Sequence, residues 1–185
     1  LNPTEGWRHL LGFELAGLGG AKFTKSVYEV TYYHPLLGKL VGAAHARVNY
    51  AEGYGGENLP RFERYFMGGP TSLRGFTVQN LGPKDSAGNP LGGSQSLLLN
   101  LEVQYPFTKS FRGFLFYDRG NIYGSGTTTS STVKNFDLGE MRSSVGAGIR
   151  FLSPFGPLGF SYGVKLDKKT GEQAAEFHFS AGSAF

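Results

Sequence analysis

The chain has 185 residues, a net charge of +4 and no cysteine. That length suits one domain, and the lack of thiols excludes disulfide frameworks, cysteine-held metals and a catalytic cysteine. The 18 Lys and Arg are scattered rather than clustered, which argues against a nucleic-acid partner, and no apolar run approaches the ~20 residues of a membrane helix.

Glycine (29 residues) and aromatics (15%) are abundant, well above ordinary usage. The first residue is Leu1 and no signal peptide precedes it, so the chain reads as a mature fragment or an excised piece.

One period repeats along the chain, and it is two, the mark of strands with two different faces. "WRHLLGFELAG" sets Trp7, Leu11, Phe13 and Leu15 against Arg8, Gly12 and Glu14. "SVYEVTYY" sets Tyr28, Val30 and Tyr32 against Glu29, Thr31 and Tyr33. "KLVGAAHARVNY" sets Ala44, Ala46, Val48 and Tyr50 against His45, Arg47 and Asn49. "LLLNLEVQYPF" sets Leu99, Leu101, Val103 and Tyr105 against Asn100, Glu102 and Gln104. "RGFLFYDRGNIY" is less regular and puts Asp118 in register with Phe114 and Phe116. "SSVGAGIRF" sets Val145, Ala147, Ile149 and Phe151 against Ser144, Gly146, Gly148 and Arg150. "GFSYGVKLD" sets Phe160, Tyr162, Val164 and Leu166 against Ser161, Gly163, Lys165 and Asp167. "EFHFSAGSAF" sets Phe177, Phe179, Ala181 and Phe185 against His178, Ser180 and Gly182.

These segments predict an all-β chain of eight strands with no helix. They are longer than the mean globular strand of about 5–6 residues and fit the roughly 9–11 residues of a tilted, membrane-spanning strand. The apolar face carries almost no charge and is bounded by aromatics, whereas the other face carries Arg, Glu, Asp, His and Asn. Apolar outside and polar inside describe antiparallel up-and-down strands of a transmembrane barrel. The alternative is a soluble sandwich with one wet face. Connection lengths favour the barrel. The long ones, 53–93 and 125–141, are the third and fifth and share one side. The even ones, "HPLLG", "YPFTKS" and "LSPFGP", are short and share the other. Short periplasmic turns and long outer loops are the asymmetry such barrels have. The lipid-facing set is then Leu99, Leu101, Val145, Ile149, Phe160 and Phe177.

The long connection contains "RYFMGGPTSLRGF", residues 64–76. It is too rich in Phe, Tyr and Leu to stay disordered, so the barrel lumen is the expected place for Phe66, Leu73 and Phe76. Gly68, Gly69 and Gly75 allow tight turns beside the wall. Arg74 is either a solvated loop arginine or is carried inward, where it needs a carboxylate because a buried unpaired charge is costly. Glu102 and Asp118 are the inward-facing candidates; they could also serve only to wet the lumen.

"GGPTSLRGF" resembles the [V/L/I]RG[F/Y] loop motif of the BamA-type barrels. That superfamily also includes TamA, the two-partner-secretion transporters and the assembly barrels of mitochondria and chloroplasts. "FYDRGNIYG" is similar to the family's motif on a following strand, "SVGAGIRFLSPFGPLGFSYG" to its S-G-G…SP-GP…FSY stretch, and "FHFSAGSAF" to the C-terminal signal of outer-membrane proteins. The resemblance covers nearly the whole chain, most firmly 60–185. It implies a 16-stranded barrel preceded by POTRA domains, of which this chain would be the last eight strands. It implies residence in the outer membrane of a Gram-negative bacterium and insertion of other barrel proteins there. Outer-membrane lipids, unfolded outer-membrane proteins and assembly-complex lipoproteins would be the partners. The loop motif carries over onto Leu73, Arg74, Gly75 and Phe76, with Asp118 and Glu102 as lumenal partners of Arg74. The C-terminal signal carries over onto Phe177, Phe179, Gly182 and Phe185. The last strand, Ala174–Phe185, would form one side of a seam where an incoming strand pairs with exposed backbone. Gly182 weakens that strand locally or marks a bulge.

Catalytic and cofactor readings are weak. His9, His34, His45 and His178 are not at metal spacing, and no Gly-x-Ser-x-Gly occurs, so no enzyme, metal or cofactor is expected. A two-partner-secretion or TamA-type barrel, or a passive porin, remains open. Eight strands leave two edges, which lipid does not tolerate. Self-closure would leave a lumen only wide enough for side chains, so an edge-paired homodimer is expected for the isolated fragment.

Overall fold

Alternation over long stretches forces strands, and short proline-marked breaks force hairpins. The computed structural model of the chain describes residues 3–18, 20–124, 136–154 and 156–182. Its strands are β1 Gly6–Ala16, β2 Phe23–Pro35, β3 Val41–Gly53, β4 Gln95–Pro106, β5 Phe111–Tyr123, β6 Arg142–Ser153, β7 Gly156–Lys165 and β8 Ala175–Ala181. They form one sheet in chain order, each antiparallel to the next. Among the described residues the only helical pieces are single 3-10 turns at Arg61–Glu63 and Leu138–Glu140.

The connections at one end, 36–40, 107–110 and 154–155, are tight. Pro35 and Pro106 each close a strand, where a missing N–H ends the ladder. The other end carries 17–22, 54–94, 124–141 and 166–174. Much of the fifth connection, 125–135, lies outside the described residues.

Register lines up the outward residues in rows. Ala44 faces Leu101, Leu101 faces Tyr117, Tyr117 faces Val145 and Val145 faces Val164. Leu101, Val145, Ile149 and Phe177 are exposed, as are Leu115, Tyr162 and Phe179; Leu99 and Phe160 are half-covered by neighbours on the same face. Near the tight-turn end this face carries stacked rings, Trp7 on Tyr32 at 4.1 Å and Phe107 on Phe111 at 5.3 Å. An apolar band with an aromatic border is the exterior of a barrel wall.

The burial is on the opposite face. The long third connection folds back over it, so the core lies between loop and wall. Met67, Leu73, Phe76 and Leu81 of the loop pack on Leu98 of β4 and Ile122 of β5. Leu59 packs with Phe23 and Ala51 near the start of the same loop.

Two features bear on the ends of the sheet. Within the described residues the last strand runs Ala175–Ala181, and Gly182 after it has φ +112. That backbone conformation suits glycine. Its N–H donates to the Pro157 carbonyl at 2.8 Å. Phe185 lies outside the described residues. The sheet is also open: among the described residues β1 pairs only with β2 and β8 only with β7.

In a bilayer, Leu101→Lys puts a charge in the middle of the outward row and is expected to cost about 2–4 kcal/mol. The measurement is the folded fraction in lipid vesicles, read by gel mobility with and without heating. A tolerated lysine would mean that Leu101 does not face lipid.

Candidate functional site: the buried arginine of the inner loop

Register places the site's wall residues before any side-chain contact is considered. Asn100 on β4 lies opposite Asp118 on β5, which lies opposite Ser144 on β6. One row toward the tight turns, Glu102, Phe116, Gly146, Gly163 and Glu176 run across β4 to β8. The next row is Gln104, Phe114, Gly148, Ser161 and His178. All point to the covered face.

The glycines in these rows make the space. A Cβ on Gly146 would sit 2.5 Å from the Phe116 ring, and one on Gly148 would sit 2.4 Å from the Phe114 ring. The two rings therefore lie flat across β6 and form a floor. The Arg74 guanidinium sits 3.9 Å from the Phe116 ring centroid, and that of Arg150 sits 4.0 Å from Phe114, both within cation–π range.

Arg74 is 3% exposed, and Asp118 is fully buried. Its Nε donates to Asp118 Oδ2 at 2.7 Å and its Nη2 to Oδ1 at 2.7 Å, the planar two-bond fork that lysine cannot make. Its Nη1 donates to Glu102 Oε1 at 2.5 Å. Its backbone N–H also donates to Asp118 Oδ2, at 3.0 Å, and its carbonyl accepts from Ser144 Oγ at 2.5 Å. Glu102 is shared: Arg150 donates to both its oxygens at 2.8 and 2.6 Å, and Gln104 Nε2 to Oε2 at 2.7 Å. Two guanidinium groups thus meet two carboxylates in a balanced cluster, with the polar atoms satisfied.

The two carboxylates are not equivalent. Glu102 keeps Arg150 if Arg74 is removed. Asp118 keeps no cation, only neutral donors: Asn100, whose Nδ2 donates to Oδ1 at 2.8 Å while also bonding the Ser72 carbonyl, and the backbone N–H of residue 74. Asp118 is therefore the residue that depends on Arg74.

The next loop residue lies backbone to backbone against the wall. Gly75 has φ +82, and its backbone lies on that of Gly163: a Cβ on Gly163 would be 2.6 Å from Gly75 N. Neither position has room for a side chain. Gly75 N–H then donates to His178 Nε2 on β8 at 2.9 Å, and Thr77 Oγ1 to Glu176 Oε1 at 2.5 Å. Phe76 is capped by Arg142 at 4.9 Å and Lys165 at 5.2 Å from its ring. Arg142 in turn is clasped by Asp167 and Glu172 of the β7–β8 connection, at 3.0 and 2.7 Å. Its guanidinium bonds hold the Glu172 carboxyl down to about 2.

Polar contacts continue across the wall toward β1. His45 Nδ1 meets Asn100 Oδ1 at 2.9 Å, and its Nε2 is 3.7 Å from Glu29. Glu29 also binds Arg47 at 2.6 Å and Arg8 of β1.

Of the residues singled out from the sequence, Leu73, Arg74, Gly75, Phe76, Asp118 and Glu102 converge here. Phe177 and Phe179 do not: they face outward at 65% and 53% exposure. Arg150, Ser144, Asn100 and His178 join the site without having been singled out for it. Their only signal was their place on the polar face, in the rows that flank Asp118 and Glu102.

The whole chain, residues 1–185, matches the Omp85 superfamily domain. The chain belongs to the Omp85 superfamily. It is 31% identical to the outer membrane protein assembly factor BamA of Neisseria meningitidis over 99% of its own length and 26% of that protein's. It is 35% identical to BamA of Nitratidesulfovibrio vulgaris over 90% of its length and 21% of that protein's. The human sorting and assembly machinery component 50 homolog is 30% identical over 93% of the chain and 39% of its own length. A crystal structure of Haemophilus ducreyi BamA lacking POTRA domains 1–3 superposes with a TM-score of 0.79 at 26% identity, covering 96% of this chain and 38% of that one. The chain thus spans a minor part of the length of the Omp85 proteins it matches.

Two outcomes are expected of the site. Arg74→Ala strands Asp118 and should cost the loop's seat about 3–5 kcal/mol. In a double-mutant cycle with Asp118→Ala, read by protease protection of 54–94, the coupling should reach about 1–3 kcal/mol; additive effects would dissolve the pair. The clasp on Arg142 should depend on pH. Glu172 is lowered from its ordinary 4.5 to about 2, so its stabilisation is full above 4.5 and fades as pH falls toward 2. Cleavage within 166–174 by an acid protease should rise across that window and be flat in Glu172→Gln.

Proposed function

We propose that this chain is the C-terminal half of the barrel of an outer-membrane protein assembly factor, which inserts and folds β-barrel proteins in the outer membrane of a Gram-negative bacterium. The observation that carries the reading is the loop of 54–94, held on the inner face by buried Arg74 beside a sheet whose edge is open. A loop fixed that deeply is not a surface ornament, and it occupies the path a passive porin would need. An open edge in lipid is a liability unless another strand meets it, and an incoming barrel protein supplies strands. The backbone of β8 would pair with such a strand by β-augmentation, while the outward rows keep the lipids and the inner loop stabilises the wall. The relatives are named for assembly rather than catalysis.

Unfolded outer-membrane proteins are the proposed substrates, and assembly-complex lipoproteins the partners of the protein as its gene encodes it. A two-partner-secretion or TamA-type role rests on the same loop motif; the "LSPFGPLGFSYG" stretch and the two BamA relatives favour assembly. For residues 1–185 alone, the free edges of β1 and β8 would be met by those of a second copy.

The test is complementation. Cells depleted of their own assembly factor receive the gene with Arg74→Ala, Arg74→Lys or no change, and folded barrel proteins are counted by heat-modifiable mobility. Both variants are expected to fall severalfold below the unchanged gene. Equal levels from all three would reject the arginine's role, and solute flux into liposomes instead of assembly would move the reading to a porin.

A further inference from the structure

β8 is the least supported strand of the sheet. Among the described residues it is the shortest, seven residues, and has a neighbour on one side only. The other strands from β2 to β7 are held by two ladders each. From β7, β8 also has the Phe160 ring against Phe177 and Phe179 and the Lys165–Glu176 pair; on the inner face the loop adds a further hold.

Arg74 faces β4 and β5, and its carbonyl takes Ser144 on β6. One residue on, Gly75 lies against Gly163 on β7 and its N–H reaches His178 on β8. Two consecutive residues therefore contact five consecutive strands. The β8 contact is the last in that series, and it is buried: His178 is 6% exposed. The imidazole accepts at Nε2, so its own hydrogen is on Nδ1 and the ring is neutral. Leaving a buried amide N–H without an acceptor is costly, so the bond resists lifting β8 away from a seated loop. The second tie, Thr77 to Glu176, is on exposed atoms and adds less.

We propose that His178 is a positioning residue for the seam strand. By accepting the Gly75 N–H it couples the place of β8 to the seating of Arg74, so that a seated loop holds the strand's free edge in place and a displaced loop releases it. This deepens the reading above, in which that edge meets the incoming strand. The glycine pair is part of the device: only without side chains at Gly75 and Gly163 does the loop backbone come close enough to reach β8.

The experiment reads backbone hydrogen exchange in the full protein in lipid nanodiscs, with no client present, so it is independent of whether β8 receives clients. His178→Leu keeps bulk but removes the acceptor; exchange of the β8 amides bonded to β7 should rise about five- to tenfold. The Arg74 amide, bonded to Asp118, should stay protected. His178→Gln, whose amide oxygen can accept the same N–H, should remain within about twofold of the parent. Gly163→Ala, whose methyl would displace Gly75, should reproduce the leucine variant. The proposal is overturned if His178→Leu leaves β8 exchange unchanged, or if His178→Gln is as exposed as His178→Leu, since ring packing and not the acceptor would then hold the strand. If the leucine variant does not fold, Gly163→Ala decides alone: parent-like β8 exchange in it rejects the coupling.

Discussion

A guanidinium buried in a protein interior must be matched completely or not be there at all, and the inner half of this structure answers that demand. Arg74 has two carboxylates, a carbonyl-bound hydroxyl and an aromatic floor around it. Each requires something of the wall. Asp118 must stand opposite Asn100, Glu102 must be balanced by Arg150, and β6 must carry glycine where Phe114 and Phe116 lie down. The attraction between buried charges does little more than repay their lost hydration. The gain is specificity: one loop position satisfies every group, and any other leaves Asp118 unpaired.

The barrel wall inverts the usual arrangement, and this explains which parts could be read from sequence. Strand positions were plain because a face in contact with lipid tolerates no charge, so alternation is strict in β3, β4, β6 and β7. The meeting of Arg74 with Asp118 and Glu102 was foreseeable for a related reason: few inward positions carry acids, and an inward arginine needs one. The motif's likeness to Omp85 proteins narrowed it further.

Other features were hidden because they depend on distances between strands rather than on pattern along one. Nothing in "SVGAGIRF" announces that its glycines are vacancies for rings from β5. Arg150 looks like any lumenal cation until register places it beside Glu102. His178 sits in an aromatic stretch whose phenylalanines face lipid, and only the seated loop identifies it as an acceptor. The positive φ of Gly182 beside β8 is likewise not encoded by composition.

The bonds that seat Arg74 and Gly75 span 28, 44, 70 and 103 residues of chain. Contacts of such separation form late, because the intervening chain must first be ordered. The loop precedes in sequence all five strands that hold it, so it must wait, tethered at β3, while β4 to β8 are laid down beside one another. Its settling is then a late event in the chain's own ordering: Arg74 has no seat until β4 to β6 stand side by side, and the Gly75 N–H has no acceptor until β8 joins them.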